Sequence, residues 1–169
     1  MNTKSRILIA ACGFLLATQF ASAAQNGLPP LDIGYTQEIP AKSAFYACEF
    51  DISLSVSGKS GLITLPGNRF IFTSPAQSAT LINLDSNPPK EVTLNITGSN
   101  KQSTNQQGDQ INQPRGRNLL GDPGQTNDDG YEGLVLAIGN FSYIFDSEGN
   151  LIQPLKGNGT ITKVCDLIR

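Results

Sequence analysis

The chain has no histidine and no tryptophan, and its only methionine is the initiator. Without histidine it lacks the commonest general base and the commonest metal ligand. Serine-based nucleophilic catalysis loses its usual activating partner, and no G-x-S-x-G elbow is present. Charge is also sparse: 12 Lys and Arg stand against 14 Asp and Glu in 169 residues. The lack of basic excess argues against nucleic acid or anionic membrane as the main partner. No sustained 3.6-residue apolar pattern occurs, which argues against a helical fold. One long apolar run exists, at the beginning, so the rest of the chain holds no membrane-spanning segment.

That run reads as an export signal. Lys4 and Arg6 form a basic start, Ile7 to Leu16 an apolar stretch, and Ala21-Ser22-Ala23 a small-residue cleavage site, giving a mature start at Ala24. The apolar stretch is too short to span a bilayer, which takes roughly 20 residues. Ile9-Ala10-Ala11-Cys12 resembles a lipoprotein lipobox. The hydrophobic stretch, however, runs on past Cys12 to the cleavage site, so Cys12 is discarded with the signal. Removing 23 of the 169 residues leaves 146, the size of one domain. Losing Lys4 and Arg6 leaves ten basic against fourteen acidic residues, a net charge of about −4 for a soluble protein, secreted or periplasmic.

Two of the three cysteines survive, Cys48 and Cys165. An even number in an oxidising compartment implies a disulfide. It would close a loop of about 118 residues, and a chain-entropy treatment gives roughly 4–5 kcal/mol for that as an upper figure. A redox pair would sit close together as C-x-x-C, and these do not.

The remaining pattern is that of strands and turns. Residues 24–44 carry Pro29, Pro30 and Pro40 and read as an extended lead-in to a β domain over 45–169. Tyr46, Cys48, Phe50, Ile52, Leu54 and Val56 alternate with polar residues, the period-two signature of a strand with one wet face. Gly58 to Gly61 reads as a turn. Leu62 to Leu65, Arg69 to Thr73, Ser78 to Leu84 and Glu91 to Thr97 follow as short strands. Leu134 to Ile138 is apolar on both faces and is the best candidate for a central strand. Gly139-Asn140 is a hairpin turn or a bulge, Phe141 to Phe145 a strand, Asp146 to Asn150 a hairpin turn. Leu151 to Leu155 is an edge strand because of Pro154. Thr160 to Val164 is the last strand, closed by a short helical turn. The count predicts a single-domain antiparallel β-sandwich or small β-barrel of about eight strands. A meander whose first and last strands meet would satisfy the disulfide.

Residues 98–130 break the pattern. Asn100 to Gln113 is rich in Asn and Gln with almost no apolar residue, and reads as a long polar loop, a protruding hairpin or a disordered insertion. Arg117 to Leu120 is its one apolar patch, a short strand docking back on the core.

Motifs with chemistry are few. Gly58-Lys59-Ser60 looks like the end of a P-loop, but the first glycine is replaced by Ser53 and no helix follows. Gln125 to Gly130 resembles the start of an EF-hand loop but lacks its first Asp and its last Glu. Asp122, Asp128, Asp129 and Glu132 could form a weak calcium site; a solvated acidic turn is the plainer reading. Asp146 and Glu148 are a carboxylate pair in a turn, where such residues are commonplace. Arg115-Gly116-Arg117 is a single basic spot suited to anchoring a loop. Phe141, Tyr143 and Phe145 either line a ligand cavity or fill a core. Asn95-Ile96-Thr97, Asn140-Phe141-Ser142 and Asn158-Gly159-Thr160 are glycosylation sequons that matter only in a host with the machinery. No cofactor-binding or metal-binding residues are identified.

Gly116-Arg117-Asn118-Leu119-Leu120, Phe141 to Asp146, Gly149-Asn150-Leu151, Pro154, Gly157, Gly159 and Cys165 resemble a family of uncharacterised secreted bacterial proteins. The resemblance extends loosely back to Cys48. It rests on turn glycines, core aromatics and cysteines, and so implies a fold and no catalytic residues. The expected function is a non-enzymatic binding, adhesion or envelope-associated module, with a protein or carbohydrate partner at the cell surface. The alternative is a small-ligand carrier or enzyme using a barrel cavity.

Overall fold

A computed structural model of the chain describes residues 29–43, 48–121 and 133–169. The export signal with Cys12, the cleavage point between Ala23 and Ala24, and the acidic residues Asp122, Asp128, Asp129 and Glu132 lie outside them.

The described residues form an all-β, antiparallel fold of nine strands: β1 (Leu31–Ile39), β2 (Ile52–Leu65), β3 (Arg69–Thr73), β4 (Ser78–Asn83), β5 (Lys90–Asn95), β6 (Gly98–Thr104), β7 (Gln110–Gly121), β8 (Leu134–Phe145) and β9 (Leu151–Lys163). One helical turn, α1 (Val164–Leu167), follows β9. The strands belong to one open sheet in the order β5-β4-β2-β3-β6-β7-β8-β9, with β1 on β2. β3 and β4 both pair with β2, while β5 pairs with β4 and β6 with β3. Each couple therefore behaves as one long strand with a break, and the chain is a simple meander.

The sheet splits along part of its length. Pairing of β6 with β7 ends at Gly98 opposite Gly116, whereas β7 runs on along β8 to Gly121. Beyond that line β5 has no strand partner on its outer side among the described residues, and two flaps separate: β1, the first part of β2, β4 and β5 in one; the ends of β7 and β9 and the start of β8 in the other. The flaps pack face to face as the layers of a sandwich do. Ile52, Leu54, Val56, Ala79, Leu81 and Leu94 meet Leu134, Leu136, Val164 and Ile168 in one buried cluster. Each fully buried aliphatic side chain of this kind contributes about 1.5–3 kcal/mol. The alternation through Cys48, Phe50, Ile52, Leu54 and Val56 is buried, with Glu49, Asp51, Ser53 and Ser55 outward.

A row of glycines marks the line of division. Gly98 lies opposite Gly116, Gly116 opposite Gly139, and Gly139 opposite Gly159. At Gly139, with φ of 141°, a Cβ would stand 2.2 Å from the Asn158 carbonyl oxygen; at Gly159, with φ of 152°, it would stand 2.1 Å from that of Ile138. Only glycine allows these backbones so close at such dihedrals. The Phe141 ring lies across Gly159, covering the gap left by the missing side chain.

Several expectations are corrected. The lead-in is a strand: Leu31–Ile39 pairs with β2 over nine residues. Gly58 to Gly61 is no turn but the interior of β2, and Gly139-Asn140 is continuous strand within β8. Leu151 to Leu155 and Thr160 to Val164 merge into β9, apart from the terminal Val164, which opens α1. Of the three alternatives for residues 98–130, the described part, 98–121, is the hairpin and not the loop or the disordered insertion: its two strands are β6 and β7. The strand carrying Cys48's alternation does not pair with the last strand; the sulfurs meet through the segments before β2 and after β9.

Candidate functional site

Away from the flaps, β3, β6, the first part of β7, the second part of β8 and the first part of β9 form a single layer with the end of β2. Register fixes which side chains share a face, because directly opposed residues in an antiparallel pair point the same way. Phe70 and Phe72 on β3 lie opposite Gln102 and Asn100 on β6. Gln102 and Asn100 lie opposite Asn112 and Pro114 on β7, and Gln110 and Asn112 lie opposite Phe145 and Tyr143 on β8. The face thus reads phenylalanine, amide, amide, aromatic across four neighbouring strands.

The amides bind one another. Asn112 Oδ1 accepts from Asn100 Nδ2 at 3.3 Å and from Gln110 Nε2 at 3.5 Å, and Asn100 Oδ1 accepts from the Gln113 backbone N–H at 3.0 Å. Two donors aimed at one oxygen fix the orientation of the Asn112 amide. Its Nδ2 is then buried with no acceptor among the described residues, in a side chain only 3 % exposed. Buried polar groups are nearly always paired, so this surplus N–H is unusual. Asn100, Gln102, Gln110, Phe70, Phe72, Tyr143 and Phe145 are half-buried. Tyr143 and Phe145 pack edge to face, centroids 5.6 Å apart. Phe141, the third member of the expected aromatic row, is buried with Ala137 and Leu155 on this side of β8, opposite to the face that carries Leu134 and Leu136.

Charge is segregated. In register, none of the positions named on this face carries a charge. The basic residues of the single layer sit on the other face: Arg69 opposite Ser103, Lys101 opposite Gln113, Arg115 opposite Asn140, and Lys156 opposite Ser142. Arg115 and Arg117, read from sequence as one basic spot, are indeed on one face of β7, two residues apart on a strand and not in a loop.

The other singled-out residues fall elsewhere. Cys48 and Cys165 are disulfide-bonded, 5.5 Å apart at Cα, and belong to the cluster between the flaps. Gly58 is inside β2, where a Cβ would stand 2.4 Å from the Ala76 carbonyl oxygen, so Gly58-Lys59-Ser60 is strand and not the loop that a P-loop needs. Asp146 builds a turn: its Oδ1 accepts from the backbone N–H of Glu148 at 2.9 Å and of Asn150 at 2.8 Å, and its Oδ2 from Asn150 Nδ2 at 2.9 Å. These donors, the Asn150 amide first, hold its carboxyl below the ordinary value of 3.8. Asn95 accepts from the Thr97 N–H. No three His, Cys, Asp or Glu side chains among the described residues converge on a metal-sized space.

Sequence reasoning missed the amide row because it sought apolar alternation. The available signal was period two in residue type: Asn100 and Gln102, then Gln110 and Asn112. No protein family, no curated protein and no solved structure matches this chain.

Proposed function

We propose that the mature chain is an exported, non-enzymatic binding module that holds its ligand on the amide and aromatic face of the single layer. The observation that carries this reading is the amide row itself. Asn is disfavoured in strands, and a mid-sheet row of four amides contributes little to packing. Such breaches of local preference concentrate where function requires them. Half-exposed aromatic rings beside orienting polar groups are the usual make-up of a recognition surface. The signal-like start and the disulfide, which is compatible with export, support a place outside the cytoplasm.

The test is co-sedimentation of the exported protein with cell-envelope fractions. Retention is expected, and the double variant Phe72→Ala with Gln102→Ala should lose it while keeping its thermal midpoint within a few degrees. Lys101→Ala with Arg115→Ala, on the opposite face, should be retained as the parent is. Equal retention of both double variants, or none for the parent, would show that this face is not the binding surface.

A further inference from the structure

We infer that the ligand is a neutral, hydroxyl-rich chain, an uncharged oligosaccharide; this rests on the binding-face reading above. Each amide side chain carries both donors and acceptors, two N–H and one carbonyl oxygen; the Asn112 oxygen is taken up by Asn100 and Gln110, so the acceptors of the row are those of Asn100, Gln102 and Gln110. Adjacent sugar hydroxyls present the same mixture, each able to give and to receive. A carboxylate or phosphate ligand would need donors only, and would draw on cations. Here the cations Arg69, Lys101, Arg115 and Lys156 are all on the far face.

The aromatic rings complete the match. A pyranose shows a patch of C–H groups on one side of its ring, and Phe72 and Tyr143 stand at either border of the amides to cover such patches. From β3 to β8 there are three inter-strand spacings, about 14 Å, which suits several linked sugars crossing the strands in preference to one. The surplus Nδ2 of Asn112 fits the same picture. Register places Gln102 and Tyr143 on either side of it. A modest shift of one of them would bring a ligand hydroxyl within reach as the missing acceptor.

The experiment is NMR titration of the exported, disulfide-intact protein with cellotetraose, maltotetraose, laminaritetraose and chitotetraose at millimolar concentration, with a heparin tetrasaccharide as the anionic control. At least one neutral probe should shift the side-chain amide resonances of Asn100, Gln102 and Asn112, with an affinity insensitive to salt. Gln102→Ala should weaken that binding about tenfold, and Lys101→Ala should leave it unchanged. Response to heparin alone, or shifts confined to the Lys101 and Arg115 face, would overturn the assignment. If no probe shifts the amides while Gln102→Ala with Phe72→Ala still abolishes envelope retention, the ligand class falls and the binding face stands. If retention too is unaffected, both fall.

Discussion

Gly139 and Gly159 face each other where β8 and β9 approach too closely for any Cβ, and both have dihedrals that other residues rarely adopt. Alanine at Gly139 would have to displace the Asn158 carbonyl and take up a strained backbone. We expect Gly139→Ala to cost about 3 kcal/mol, read from urea unfolding monitored by far-ultraviolet circular dichroism; an unchanged midpoint would mean that the line of division tolerates side chains. At the same scale Asn83 ties the C-terminus to the first flap, its Nδ2 donating to the Ile168 carbonyl at 2.8 Å while its Oδ1 accepts from the Asp85 and Ser86 N–H groups. Neither role is visible in sequence. A glycine in a strand reads as a weak point or a turn, and its partner across the ladder is unknown until the strands are paired.

Among elements, two hairpin turns share one design. In Asn105 to Asp109 and Asp146 to Asn150, the first side-chain oxygen accepts from the backbone N–H groups two and four residues on. The side chains of the first and fifth residues also pair, and a glycine with positive φ precedes the last. The Asx oxygen replaces backbone acceptors that the tight turn cannot supply. Only the second turn was legible, because apolar strands flank it. Its twin joins β6 to β7, and β6 has no apolar residue at all; its backbone is held by ladders on both sides. Apolar alternation reports a strand only when one face is buried, and neither face of β6 is dry. The Asp146 turn has a pH dependence. Its folded carboxyl pKa is depressed, so its contribution is present above the unfolded aspartate value and is lost as pH falls through the folded one. A carbon-detected titration should find the Asp146 midpoint below 3.8, and Asn150→Ala should raise it toward that value. A midpoint at the ordinary value would mean that the three donors do not hold in solution.

At the scale of the whole molecule, the fold class and the disulfide were readable and the architecture was not. The alternation through Ile52, Leu54 and Val56 and the double-sided run at Leu134 to Ile138 report strands regardless of how they are arranged, and both are strand in the structure; Cys48 and Phe50, which share the alternation, lie in the segment before β2. That β3 with β4, and β5 with β6, are broken strands of one meander depends on long-range pairing, which leaves no local trace. The disulfide joins residues 117 apart and sits between the flaps. Its reduction should lower stability by about 4 kcal/mol, measured as a fall in the guanidinium midpoint with a phosphine reductant; insensitivity to reductant would show that the cluster alone holds the flaps. The same staple gives the molecule two unlike ends. Arg169 lies beside Glu49 and Asp166, and its backbone oxygen accepts from Lys90 Nζ at the start of β5, so the chain terminates at the stapled pole. The amides lie across the glycine row, at the other. A tether, lipid or reporter fused after Arg169 would therefore hang like a handle from the pole opposite the amides.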